Sequence, residues 1–270
     1  WWDQAAGRWA GHDVADFVPD RAPDHVPDED ATGPDALRGD DPFIMQADGK
    51  GWLYAPAGLE DGPLPAHYEP QDSPFDNALY PRTPRSPVRQ VLPREGNRYH
   101  PSGTDPGADV YPYIVTTHRL TEHFTAGGMS RWSLYLSELQ PELFCEVSPR
   151  LAAERGLEHG GWATLITARN AIEARVMVTE RIRPLTVQGR TVHQIGLPFH
   201  WGPNGVVTGD AANELVAISL DPNAHIQEDK ALTADIRPGR RPRGPELPRL
   251  VAAYRRRAGI TDTTGTETRP

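Results

Sequence analysis

The sequence predicts a mixed β-barrel with inserted helices, preceded by an extended, proline-rich acidic stretch. Two observations carry this: strand-like runs at short spacing from Asp109 onward, and a sharp change of composition before that point. Residues 1–80 hold 17 acidic side chains against four basic ones (Arg8, Arg21, Arg38, Lys50), while the remaining 190 hold 20 acidic and 24 basic. The formal net charge of −9 describes neither part. Sixteen of the 28 prolines precede residue 107. Proline removes backbone donors and fixes φ, so a stretch such as residues 18–30 (VPDRAPDHVPDED) sustains neither a helix nor a sheet ladder. Two readings remain open for it: a solvated linker, or an arm wrapped over a larger body and ordered by it. Residues 42–54 favour the arm, because they read as two short strands around Gly49–Gly51, with Phe43, Met45, Trp52 and Tyr54 as anchors.

From residue 109 the elements follow in order. Residues 111–117 form a β-rich run, 130–139 a helix stopped by Pro141, and 144–147 a strand. Ser148 caps a helix over 149–155, with proline at its first position and Gly156 as its stop. Residues 162–168 and 172–182 form a hairpin joined at Arg169 and Asn170, and 187–191 and 192–197 add short strands near Gly189. Residues 237–257 carry eight arginines and one acid, Glu246. With only Lys50 and Lys230 as lysines, arginine is the default cation here, and a basic tail packed on the acidic arm accounts for it better than nucleic-acid binding. The expected division is an arm over 1–106, a globular domain over 107–258 and a disordered tail over 259–270.

Several chemistries are excluded. No run approaches 18 apolar residues, so no membrane-spanning helix is encoded in this chain. Cys145 is the single cysteine, which excludes an internal disulfide, a cysteine zinc finger and an iron–sulfur cluster held within these residues. It lies in an apolar run beside Phe144 and Val147, as a packed thiol does. Phosphate-loop, dinucleotide-fold and serine-hydrolase signatures are missing. The chain opens on Trp1 with no signal-peptide pattern after it, and reads as a piece of something longer or as a processed product.

Three clusters remain. Residues 116–125 (TTHRLTEHFT) follow a strand, and place Thr117, Arg119, Leu120, His123, Phe124 and Thr125 in one loop. His118 and His123 are five apart, which misses metal-ligand spacing on a helix. Hydroxyls and a guanidinium at a strand end suit anionic oxygens, although a polar loop satisfying itself has the same composition. Residues 196–205 (GLPFHWGPNG) set His200, Trp201 and Gly202 in a glycine-bounded aromatic turn, open to a flat ring or to simple burial of the tryptophan. Residues 208–215 (TGDAANEL) carry Asn213, whose amide offers a donor and an acceptor side by side.

In this order the clusters resemble the C-terminal dinucleotide-binding domain of molybdopterin oxidoreductases, the dimethyl sulfoxide reductase superfamily. The strings are THRLTEHFT (117–125), PELFCEV (141–147), LPFHWG (197–202) and ANEL (212–215). The front strings FIMQADGKGW (43–52) and DGPLPAHYEP (61–70) are similar to the extension of long, respiratory-type formate dehydrogenase catalytic subunits. The resemblance implies a double-psi β-barrel that embraces one of the two dinucleotides of molybdenum bis(molybdopterin guanine dinucleotide). It implies a cofactor-binding set of Thr117, Arg119, Leu120, His123, Phe124, Thr125, His200, Trp201, Gly202, Asn213 and Lys230. Asp229 stands where relatives often have an aromatic residue, and this weakens the carry-over of Lys230.

The implied activity is formate oxidation to CO2, with two electrons leaving through the cofactor and a [4Fe–4S] cluster; the molybdenum ligand and the cluster cysteines belong to a preceding N-terminal part. This chain would bind and orient the cofactor, and alone would be inactive. The implied partners are the N-terminal remainder of the subunit, an iron–sulfur (beta) subunit and a membrane cytochrome b (gamma) subunit, with formate as substrate and no nucleic acid. The implied place is the periplasmic, cell-envelope side, in anaerobic respiration. The same domain of a nitrate reductase, or a stand-alone cofactor-binding or assembly module, are the alternatives.

Overall fold

A computed structural model describes residues 1–12, 18, 20–41, 59–61, 68–70, 72–79, 81–82, 86–88, 90–91, 109–227 and 231–260. The strands expected within 42–54, Lys230 and the tail 261–270 lie outside the described residues. The chain divides into two compact units, Trp1–Pro65 and Ala66–Pro270.

In the first unit, Trp2–Asp3 and Arg8–Trp9 pair antiparallel. Asp3 Oδ1 closes the turn between them by accepting the N–H groups of Ala5 and Ala6. Trp2 meets Trp9 edge to face at 5.9 Å, and Trp9 Nε1 donates to Arg21 O at 2.8 Å. Arg21 Nη1 in turn donates to the carbonyl of buried Leu37 at 3.0 Å. Indole and guanidinium donors replace a ladder where proline prevents one.

The second unit contains β1 (Tyr113–His118), β2 (Phe144–Val147), β3 (Trp162–Ile166), β4 (Ala171–Val178), β5 (Leu185–Val187), β6 (Arg190–Val192), β7 (Gln194–Pro198) and β8 (Ala231–Pro238). Its helices are α1 (Leu134–Leu139), α2 (Pro149–Arg155) and α3 (Glu246–Arg257). Six strands close a barrel in the order β7-β1-β8-β3-β4-β2. β1 is parallel to β7 and β2 to β4, and the other four neighbouring pairs are antiparallel. The interior is apolar: Val115, Val147, Leu165, Ile195, Leu197 and Ile236 are all fully buried. Cys145 lies among them, and burial pushes its thiol up to about 12, so it packs and does not react. β5 and β6 form a separate hairpin that turns through Gln188 and Gly189, both at positive φ.

α2 forms as its sequence dictates. Ser148 Oγ accepts from Leu151 N at 3.1 Å, Pro149 opens the helix, and Gly156 ends it in the left-handed conformation. The helix expected over 130–139 is instead a 3-10 turn, Ser130–Trp132, and then α1, separated where Ser133 is extended.

The arginine-rich stretch departs furthest from expectation. Its apolar positions Leu247, Leu250, Val251 and Tyr254 fall at helical spacing, and α3 packs them on Tyr111, Ile166, Ala168 and Ala171. The arginines ahead of α3 bind acids of the barrel unit itself: Arg240 and Arg243 bind Glu173, and Arg241 binds Asp210. The expectation of a basic tail lying on the acidic arm is therefore replaced by a helix clamped to the barrel.

Candidate functional site

β1 and β7 run side by side in parallel, so their C-terminal ends release two loops at one end of the barrel. The first, 117–127, comprises the last two residues of β1 and the loop that follows, and carries Thr117, Arg119, Leu120, His123, Phe124 and Thr125. The second, 199–206, carries His200, Trp201 and Gly202. Register places Thr117 opposite Leu197 and His118 opposite Pro198, so residues 80 apart in sequence leave the barrel as neighbours.

His200 joins the loops. Its Nε2 accepts the Leu120 N–H at 2.9 Å, and its Nδ1 lies 2.6 Å from Thr125 O. A backbone N–H can only donate, so Nε2 is unprotonated and Nδ1 carries the proton given to Thr125. Burial, the largest influence, lowers the pKa of His200, which keeps the ring neutral. Thr125 stands at φ 49, a left-handed conformation that is strained for a β-branched residue. Its carbonyl is held there by His200, and such strain marks loops shaped for a task.

His123 is 1 % exposed and spends both ring nitrogens on the segment after the loop, on Ser130 Oγ at 3.0 Å and Gln140 O at 2.9 Å. Trp201 packs edge to face against it at 5.1 Å. Arg119 is exposed and lies over Phe199 at 5.2 Å, while Phe199 stacks on His200 at 4.7 Å. Behind the loops, buried Arg131 donates to the carbonyls of Ala126, His200 and Asn204.

The turn bearing Asn213, Ala212–Leu215, attaches to the same region: Gly209 N–H donates to Gly202 O at 3.1 Å, and Gly209 packs on the Trp201 ring. Three anchors hold it. Asp210 accepts the Glu173 N–H at 2.9 Å, Asn170 Nδ2 donates to Glu214 at 2.9 Å, and Thr167 Oγ1 donates to Leu215 O at 3.1 Å. Ala212 and Leu215 are buried and Asn213 is exposed, so the turn presents its amide outward.

The structure thus brings ten of the eleven predicted residues onto two neighbouring loops and one attached turn. Within this set the polar atoms divide. Leu120, His200 and the Thr125 carbonyl satisfy one another, His123 is satisfied by Ser130 Oγ and Gln140 O, and these bonds fix the shape of the loop. Thr117, Arg119, Phe124 and Asn213 are at least partly exposed. Two buried polar atoms beside them, Trp201 Nε1 and His118 Nε2, have no hydrogen-bond partner among the described residues. An outward guanidinium, an outward amide, aromatic surface and unsatisfied buried polar atoms fit a flat, polar, anionic ligand. The sequence reading missed Arg131 and the tether at Asp210; the glycines that surround Arg131 (Gly127, Gly202 and Gly205) were visible, but not their convergence.

A six-stranded barrel with this loop pair defines the class. Residues 113–233 match the family described as the Molydopterin dinucleotide binding domain, and the barrel is a domain of that family. More particularly, the chain is homologous to formate dehydrogenase catalytic subunits over most of its length. It is 40% identical over 207 residues to formate dehydrogenase 2 subunit alpha (cytochrome c-553) of Nitratidesulfovibrio vulgaris, covering 75% of this chain and 20% of that protein. Identity is 36% over 240 residues to the formate dehydrogenase subunit alpha of Megalodesulfovibrio gigas, covering 87% and 21%. With the nitrate-inducible formate dehydrogenase major subunit of Escherichia coli it is 36% over 231 residues, covering 85% and 21%. The chain therefore spans about a fifth of the length of the relatives it matches.

Proposed function

We propose that this chain is the part of a formate dehydrogenase catalytic subunit that binds and orients a molybdopterin guanine dinucleotide. One observation carries the reading: the His200 bridge, which holds the 117–127 loop and the 199–206 turn together at the shared end of β1 and β7. In this reading Arg119 and Thr117 meet anionic and pterin oxygens, and Asn213 pairs with a heterocycle edge. Leu120, His123, Phe124, Thr125, His200, Trp201 and Gly202 shape the cradle, and Lys230 joins the set on the sequence resemblance alone. When bound, the cofactor supplies the redox chemistry of formate oxidation. The chain's own residues bind, orient and shield it. The molybdenum ligand and the [4Fe–4S] cysteines belong, in this reading, to an N-terminal portion of the same subunit. An iron–sulfur subunit and a membrane cytochrome b subunit on the cell-envelope side complete the assembly, as the resemblance to long-type subunits implies.

The test is anaerobic production of the chain in a host that makes the cofactor, followed by quantitation of bound molybdopterin and of the nucleotide released by hydrolysis. Retention of a guanine dinucleotide near one per chain supports the reading. Purification of folded chain with no pterin would refute it.

A further inference from the structure

Arg131 is 5 % exposed and belongs to the 3-10 turn that follows the first loop. Its Nε donates to Asn204 O at 2.9 Å, and its Nη1 to Ala126 O at 2.9 Å and to His200 O. One planar guanidinium therefore holds a carbonyl from the first loop and two from the second. Glycines of both loops make room for it. A Cβ on Gly127 would stand 2.7 Å from Nη1, and one on Gly202 would stand 3.1 Å from Nη2. The backbone of Arg131 is fixed in turn, its carbonyl accepting from Val206 N–H at 2.8 Å and from Ser137 Oγ at 3.1 Å. Among the described residues no carboxylate stands within ion-pair distance of it. Buried Arg169, by contrast, is paired with Asp72. A buried cation without a counter-charge is unfavourable, and an anion bound nearby would relieve it.

We propose that Arg131 is a positioning residue for the dinucleotide: it sets the spacing of the two loops and lends their cradle one positive charge. The inference rests on the reading that these loops bind the dinucleotide. Lysine cannot do the same work, because a single ammonium lacks the rigid fork that reaches separate carbonyls.

The test titrates the full 270-residue chain with molybdopterin guanine dinucleotide, with guanosine diphosphate as the pterin-free control. Binding by the wild-type chain establishes the underlying reading, and its absence overturns both. Given that binding, R131A should bind about tenfold more weakly, because both the loop spacing and one nearby positive charge are lost. Guanidinium ion at a low, non-denaturing concentration should restore much of the loss in R131A and leave the wild type unchanged. R131K retains a cation and keeps the test independent of whether R131A folds. It should bind more weakly than wild type, with faster amide exchange over 119–127 and 200–206 and unchanged protection in β4. Wild-type affinity in R131K, or a weakening in folded R131A that guanidinium leaves untouched, overturns the role of Arg131.

Discussion

Leu120 donates its backbone N–H to His200 Nε2 at 2.9 Å, and this single bond across 80 residues decides the protonation state of the imidazole. A protonated ring would present N–H to N–H. Burial already lowers the pKa of His200 below its usual 6.5, so the folded state takes up a proton less readily than the unfolded chain. Its contribution is then complete above the unfolded value and is lost as pH falls from about 6.5 toward the lower folded value. His200→Phe keeps a ring to stack on Phe199 but strands the Leu120 donor and the Thr125 carbonyl, at about 2–3 kcal/mol. Denaturant midpoints of both proteins should differ by this amount at pH 8 and converge toward pH 5. A difference independent of pH would refute the tautomer assignment.

A second prediction concerns a buried charge pair. Arg169, at the tip of the β3–β4 hairpin, is 2 % exposed and bidentate with Asp72, with Nη2 to Oδ1 at 2.7 Å. Removing one member of such a pair typically costs about 3–5 kcal/mol, because the remaining charge stays buried. Asp72→Leu should therefore lower thermal stability sharply, and the double change Asp72→Leu with Arg169→Met should recover most of the loss. Equal damage by the single and double variants would show that Arg169 matters for its size and not for its charge.

Glu173 joins the barrel to the segment ahead of α3. Burial alone would raise its pKa, but hydrogen bonds from Arg243 and Arg240 outweigh that and bring it to about 2. Arg240 Nε is 3.0 Å away, Arg243 Nη2 2.6 Å, and the Arg241 N–H also donates to it at 3.1 Å. A depressed carboxylate stabilises fully above its unfolded value of 4.5, and this stabilisation is lost as pH falls toward 2. Glu173→Gln should be destabilised at neutral pH and nearly indistinguishable from wild type near pH 2, as read by circular dichroism. A gap that persists at pH 2 would mean that packing, not charge, is responsible.

Much of the barrel was legible because its signals are local. Ser148, Pro149 and Gly156 delimit α2 without outside help, and Arg169 with Asn170 marks a hairpin tip. The candidate site was legible as three strings, each weak alone. What joins them was not legible, since the parallel register of β1 with β7 and the His200 bridge are contacts between distant residues. β8 and α3 were missed for another reason. β8 interleaves Thr233, Asp235 and Arg237 with its apolar residues, and α3 hides its apolar stripe among arginines. One polar residue of β8 is matched by one of α3, and another of α3 is spent on the β3–β4 hairpin tip: Tyr254 donates to Asp235 at 2.8 Å, and Arg255 to Ala168 O at 2.9 Å.

The final prediction separates what the Asn213 turn presents from what supports it. Asn213 is exposed, so Asn213→Ala should leave the melting temperature within the narrow range usual for surface changes, about ±0.5 kcal/mol of stability. The same variant should carry clearly less dinucleotide, because paired donor and acceptor contacts to a heterocycle are worth about 1–3 kcal/mol. Thr167→Val acts in the opposite sense. It removes the hydroxyl that donates to Leu215 O at 3.1 Å inside the structure, and should lower stability by about 1 kcal/mol. Its effect on cofactor content should be smaller than that of Asn213→Ala, because the tethers at Asp210 and at Glu214 remain. Melting curves and pterin content measured on the same preparations give the two quantities side by side. If Asn213→Ala retains full cofactor, the amide is merely a solvated turn residue, and recognition of the heterocycle falls to the Arg119 side of the cradle.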